Sequence, residues 1–306
     1  MVAAASSWGS SGRFGRRLFV LVDREQAIEV VPLEKHYVPK RSQRTRSVLT
    51  FFAQDHASTE MVYANADVTK TAAAREVIAF ADYWAGAAGT DPGLLVFDSQ
   101  LTTYAVLDEL SARGIRWLTL RQRGRAVLAV LAELAALPAS AWTSARIQRS
   151  GHYRHPQLHD ELTTIKGIGS RVRQIAVANI GRDEPTLLIT NDHATPAKAL
   201  FTRYAERMLV ENELDAYIGG FHLDALSSGL PLNVDVDTTL TVLAGNLYRL
   251  LARTLPRYQQ ATLDRLYRHF IDATGKLHVT DDGVADRTVT IPWWGGRTMR
   301  FRFPPR

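Results

Sequence analysis

The stretch from Gly93 to Leu120 constrains this chain more than any other. Leu94-Leu95-Val96-Phe97 is apolar at every position. A strand with one wet face would alternate, so this run describes a central strand covered on both faces. Asp98 ends it. A helical segment follows at once, with Leu101, Tyr104, Val106, Leu107 and Leu110 along it and Gly114 closing it. Ile115–Leu120 is then a second apolar strand. A sheet buried on both faces needs a layer on each side, so the chain belongs to the α/β class.

Three more strands are expected upstream. Leu18–Val22 ends at Asp23, Ser47–Ala53 runs to Asp55, and Met61–Ala64 follows the polar turn Asp55–Thr59, making an antiparallel meander. Thr71 to about Ala88 is a helix that buries Val77, Ile78, Phe80, Ala81 and Trp84. Residues 1–17, small and rich in Gly, Ser and Arg, are expected to be a disordered basic tail.

Downstream, Thr186–Thr190 is a strand and Thr195–Ile218 a helix, with Thr195 as its cap and Pro196 at its first position. Leu200, Tyr204, Arg207, Met208, Glu211 and Ile218 fall on one face of that helix. A helix that only covers a core would carry Leu or Ile where Arg207 and Glu211 stand. Two readings are open: an ordinary ion pair at four-residue spacing, or a carboxylate that holds a metal. Asp98 has the same ambiguity, since a carboxylate at a strand end is either a ligand-site residue or the cap of the next helix. Asp23 is placed on the first strand by the element count, with Asp55 as the alternative, and an isolated Asp there also reads as a turn residue.

Between Arg121 and Asp183 the pattern loosens into a smaller, basic, β-rich insertion. Its His152, His155 and His159 lack matching carboxylate or cysteine spacing, so they read as solvated loop residues. His222 and Asp224 belong to a turn between helices, and Asp237–Leu255 is a strongly apolar helix. The absence of cysteine and of an export signal or long apolar run excludes disulfide chemistry, secretion and membrane insertion as expectations. A net charge of +6 favours a polyanionic partner. The positive charge gathers at Lys35–Arg46, including Lys40 and Arg41, at Arg121-Gln122-Arg123, and in the insertion. Solvated basic loops are the competing explanation. Trp142 or Trp117 is a candidate for stacking on an extruded base, although tryptophans are commonly core residues.

The order strand–strand–strand–helix–strand–helix–strand, with a later helix, matches a ribonuclease H-like domain, in which acidic groups from the first strand, the fourth strand and a late helix converge. Tyr204, Arg207 and Glu211 fit the Tyr-x2-Arg-x3-Glu part of a longer signature. With the text around Leu94–Ile115, Pro185–Asp192, Tyr204–Ser228 and Leu232–Ala252, the chain resembles the DDE transposases of bacterial insertion sequences, in their Tyr-Arg-Glu-Lys branch. The resemblance runs from about Leu33 to Thr280. Ile218 stands where that family has its lysine, and the expected first Asp has no clear local match beyond Asp23.

The resemblance implies a fold and an activity. The fold is a ribonuclease H-like mixed five-stranded sheet flanked by helices, with the β-rich insertion between the fifth strand and the late helix. Residues 18–120 and 184–280 form the two parts of the catalytic domain, 121–183 the insertion and 281–306 a C-terminal strand segment. Asp23, Asp98 and Glu211 are the implied metal ligands for two Mg2+ ions, with Mn2+ as a substitute. Tyr204, Arg207, Lys40, Arg41, Arg121 and Arg123 are the implied DNA contacts. The implied activity is DNA strand cleavage at transposon ends and strand transfer to target DNA, by a homodimer on paired ends, in the cytoplasm at the nucleoid. The alternative is an inactive remnant, N-terminally truncated or altered, that binds DNA or full-length transposase as an inhibitor.

Overall fold

The computed structural model describes the backbone of residues 2–6, 34–38, 43–122, 124–149, 152–181, 184–225, 228, 230–272, 275–280, 283–290 and 298–302. In chain order, β1 (Val2–Ser6), β2 (Glu34–Val38), β3 (Gln43–Ser47), β4 (Leu49–Asp55) and β5 (Met61–Val68) precede α1 (Ala73–Ala88). Then come β6 (Leu95–Phe97), α2 (Tyr104–Ala112), β7 (Trp117–Leu120) and α3 (Arg125–Ala135). The next stretch holds β8 (Thr143–Ser144), β9 (Ile147–Arg149), β10 (His152–Arg154), β11 (Gln157–Thr163), β12 (Val172–Ala178) and β13 (Thr186–Thr190). It leads to α4 (Ala197–Glu206), α5 (Met208–Phe221), α6 (Pro231–Thr254) and α7 (Leu263–Leu266), and the chain ends with β14 (Gly275–Thr280), β15 (Gly283–Thr290) and β16 (Thr298–Arg302).

One sheet organises most of this. Its order is β5-β4-β1-β6-β7-β13-β12-β11-β8. β1 is antiparallel to β4 and parallel to β6, β6 is parallel to β7, and β13 turns the direction again. The fold is therefore α/β with a mixed sheet. It is wider than the five strands expected, because β13, and beyond it β12, β11 and β8 from the region expected as a β-rich insertion, extend the same sheet. β14–β16 and the pairs β2–β3 and β9–β10 form small sheets of their own.

The central strand is a second correction. Residues 1–17 were expected to be disordered, yet Val2–Ser6 lies between β4 and β6. Alanine is depleted in strands and carries little hydrophobic signal, so Val-Ala-Ala-Ala-Ser does not announce itself. Leu18–Val22 and Asp23, expected in this role, lie outside the described residues.

Alternation along β6 divides the core into two layers. Leu95 and Phe97 pack with Val77 and Phe80 of α1 and Leu107 and Leu110 of α2. Leu94 and Val96 lie on the other face with Leu118, Leu188, Leu200 and Tyr204. Each fully buried aliphatic contributes about 1.5–3 kcal/mol, which is why four consecutive apolar residues belong in the middle of the sheet. Trp117 is fully buried in the first layer and Trp142 stacks on His159 with ring centroids 5.7 Å apart, so each serves packing. The edge strand β5 is covered by α6: Asn246 accepts from Met61 N–H at 3.1 Å and donates to Met61 O at 2.8 Å, and Asp235 accepts from Ala66 N–H at 2.9 Å. Those side chains satisfy backbone groups that an edge would leave open. Among the described residues no helix is long and apolar enough to cross a membrane.

Candidate active site

Asp98 follows β6 directly, and strand alternation sets it on the face of Val96, beneath α4. A 3-10 turn, Ser99–Leu101, separates it from α2. Thr103 caps α2, its hydroxyl accepting from Val106 N–H at 3.4 Å, while Gly114 closes α2 at φ 75° as its position suggested. The Asp98 loop is tied down from β7: Gln122 Nε2 donates to Ser99 O at 2.9 Å and to Thr102 O at 2.8 Å. Ser99 Oγ donates to Asp98 Oδ1 at 3.2 Å. Asp98 is 6% exposed.

The helix expected over Thr195–Ile218 is two helices meeting at Arg207. The break is small, since Arg207 keeps helical dihedrals (φ −51°, ψ −29°). Three-residue hydrogen bonds mark the tightening: Arg207 N–H donates to Tyr204 O at 3.2 Å and Val210 N–H to Arg207 O at 3.3 Å. The start also differs from expectation. Pro196 occupies the cap position, and Thr195 is held by Asp192, its hydroxyl donating to Oδ2 at 2.8 Å and its N–H to Oδ1 at 2.9 Å.

The tightened turn carries the guanidinium that joins the two acidic residues. Arg207 Nη1 lies 3.1 Å from Glu211 Oε1 and 3.6 Å from Asp98 Oδ2. Its carbon sits 5.3 Å from the centre of the Tyr204 ring. The side chains of Asp98 and Arg207 are 8% and 13% exposed, that of Glu211 35%, so the site opens on the Glu211 side. Burial pushes the Glu211 carboxyl above its ordinary value and nearby Asp98 adds to this, against the pull of Arg207. Burial also opposes the Arg207 charge, but Tyr204, Asp98 and Glu211 outweigh it and hold the guanidinium firmly protonated. Burial raises the Tyr204 hydroxyl well above its usual range. Among the described residues neither Tyr204 Oη nor Arg207 Nε, both buried atoms, makes a well-aligned hydrogen bond, although the two side chains lie close enough to interact with each other. A tyrosine, an arginine and two carboxylates in one place make the site more polar than packing requires.

The third carboxylate is not in this row of the sheet. Ala5 pairs with Phe52 on β4, and on the other side the pairing of β1 with β6 ends at Ala4 and Phe97, one residue before Asp98. Asp55 pairs with Val2, three residues from Ala5 and so roughly 10 Å along the strand. Its Oδ2 accepts from Ser58 N–H at 2.7 Å, which makes it a turn residue. Asp23 lies outside the described residues. Among the described residues no group of three His, Cys, Asp or Glu is arranged to hold a metal. Mg2+ commonly takes only one or two carboxylates, with water and substrate phosphate completing its shell, and Asp98 and Glu211, both in contact with Arg207, are the residues here that could hold one.

Of the residues expected to touch DNA, Lys40, Arg41 and Arg123 lie outside the described residues. Tyr204 and Arg207 are partly buried at the acidic pair. Arg121 donates its backbone N–H to Leu187 O at 2.9 Å and its guanidinium to Gln174, with Nε buried and unpartnered. His159 lies on β11 with Nδ1 2.9 Å from Ala141 O, and His222 ends α5 at φ 54°, the turn expected there. The sequence reading missed Asp192, 3% exposed, which also meets Arg116 at 3.2 Å. Burial opposes its charge, but the Thr195 and Ala194 hydrogen bonds and Arg116 hold its carboxyl below the ordinary value. Beside it, Asn191 accepts from Trp117 N–H at 2.9 Å and donates to Ile115 O at 2.9 Å, joining the end of β13 to β7. Adjacent Asn and Asp after a strand were the available signal, because both bond readily to nearby backbone. No protein-family model matches the chain, and no curated protein matches it.

Proposed function

We propose that the chain is a metal-dependent DDE-type transposase with a ribonuclease H-like core, cutting a DNA strand at transposon ends and joining the freed 3′-hydroxyl to target DNA. The observation that carries this reading is the meeting of Asp98 and Glu211, from a central strand end and a late helix, on the single buried guanidinium of Arg207. The sheet supports it as well. β5, β4, β1, β6 and β7 are consecutive neighbours, with β1, rather than the expected Leu18–Val22, as the strand beside β6. Asp98, held by Ser99 and by the loop that Gln122 pins, and Glu211 are the residues that would bind the cation. A bound divalent cation supplies charge stabilisation at the phosphodiester and an activated water or 3′-hydroxyl. Arg207 has to give up at least part of its hold on the two carboxylates for them to bind it, and its charge then becomes available to a DNA phosphate. The net charge of +6 suits that partner.

A supercoiled plasmid nicking assay in Mg2+ or Mn2+ tests the reading. Asp98→Asn and Glu211→Gln should each abolish nicking while leaving DNA retention in a gel-shift assay nearly unchanged; nicking retained in either variant would sink the assignment. A second reading is favoured by one observation, that β1, the strand paired with β6 just before Asp98, bears no carboxylate. It holds that the chain binds DNA or a full-length transposase without cutting, as an inhibitor. Wild-type protein that retains DNA but nicks in neither cation, and that lowers the activity of an added transposase, would select it.

A further inference from the structure

We infer that the outward face of α6 is a dimer seam, occupied by α6 of a second copy packed antiparallel across a two-fold axis. This inference is independent of the transposase reading. α6 has two apolar stripes where a helix that merely covers a sheet needs one. The inner stripe, with Val234, Thr238, Val242 and Ala252 buried, packs on β5 and its neighbours, and Asp235 and Asn246 bond the β5 backbone from the same side. The outer stripe faces solvent: Leu232 is 72% exposed, Val236 46%, Leu240 56%, Leu243 53%, Leu247 65% and Leu250 54%. A contiguous row of large aliphatics of this extent exceeds the scattered apolar residues normal on a monomer.

The spacing identifies the kind of partner. From Val236 to Leu250 the exposed residues follow alternating steps of four and three, the repeat that seats one helix against another by interlocking side chains. A β-edge or a flat apolar surface would not need this phase. The partner is therefore a helix with a matching stripe, and α6 is its own complement, because a two-fold axis sets the same patch against itself. With the axis at Leu243, Val236 meets Leu250, and Leu240 falls within one residue of Leu247, so aliphatic side chains lie near one another along the seam. Pairing along this seam removes on the order of 1,000 Å2 from water, the area a specific interface requires. Charge decides the direction. Asp237 lies near the start of α6, and Arg249 and Arg253 near its end, the two arginines meeting Glu213 and Glu60 of their own protomer. A parallel pair sets the acidic ends side by side; an antiparallel pair sets each against the end that bears arginines.

The experiment needs no DNA. Sedimentation velocity of the full chain at micromolar concentration should give a dimer, and Leu243→Glu with Leu247→Glu should give a monomer with unchanged far-UV circular dichroism. A wild-type monomer across the concentration range, as expected if a segment of the same chain covers the stripe, overturns the inference; so does a double variant that stays dimeric. Because the chain has no cysteine, single cysteines provide a test that does not depend on disrupting the seam. Leu243→Cys, at the axis, should form a disulfide-linked dimer under mild oxidation, and Val236→Cys should not, because its partner residue is Leu250. Cross-linking at both positions overturns the antiparallel arrangement, and cross-linking at neither overturns the seam.

Discussion

Arg207 is where the sequence and the tertiary structure each supply half of the site. Its partnership with Glu211 is legible from four-residue spacing and is made at 3.1 Å. Its partnership with Asp98 is not, because only the packing of α4 on β6 brings together residues so far apart in the chain. Asp98 itself was legible, since a uniformly apolar run can end in a buried carboxylate only where something compensates the charge. Arg207 supplies that compensation. Arg207→Met should therefore leave two buried or half-buried carboxylates without their cation and cost about 3–5 kcal/mol in urea unfolding. Arg207→Lys keeps the charge but replaces the planar guanidinium, whose Nη1 lies within reach of both carboxylates, with a shorter and more mobile side chain, and should recover only part of the loss. If the pair is a cation site, millimolar Mn2+ should raise the urea midpoint of Arg207→Met more than that of the wild type. A loss below 1 kcal/mol for Arg207→Met would show that the guanidinium is not the counter-charge of Asp98.

At the scale of elements, legibility followed hydrophobic contrast. α1, α2, β6 and β7 stand out because Val77, Phe80, Leu95, Phe97, Leu107 and Trp117 are large and buried. β1 does not, because its alanines carry no contrast, and the break between α4 and α5 does not, because Arg207 keeps helical dihedrals. The packing of α5 on α6 was equally silent in the sequence. It depends on Gly245, where an added Cβ would overlap the ring of Tyr217, itself 1% exposed and unable to move aside. Gly245→Ala should consequently destabilise by roughly 1–3 kcal/mol, although alanine is the better helix former by nearly 1 kcal/mol. Gly219, inside α5 and with open space at its Cβ, provides the opposite sign. Gly219→Ala should stabilise by about 0.5–1 kcal/mol in the same urea titration. Equal effects at the two glycines would contradict the helix contact described here.

The whole molecule is bound together by its sheet. β7 pairs with β13, and β13 with β12, so residues read from sequence as an insertion continue the sheet whose strand β6 ends at Asp98. Asn191 and Asp192 strengthen that junction through Trp117, Ile115 and Arg116. Sequence reading separated these regions because the loose pattern after Arg121 carries no signal for long-range pairing, which only register can reveal. The sheet should therefore unfold as one unit, without an early transition belonging to residues 121–183. A dimer through α6 adds a second consequence, because the stability of such an assembly depends on protomer concentration. For two chains of 306 residues the entropy of unfolding is large, so each tenfold rise in concentration should raise Tm by only about 1 °C. Scanning calorimetry over a hundredfold range can resolve that slope, and Leu243→Glu with Leu247→Glu should flatten it while leaving a single endotherm. A slope that persists in the double variant would place the dimer contact elsewhere on the molecule, and a separate low-temperature endotherm would show that β11–β13 are held to the core less firmly than their register implies.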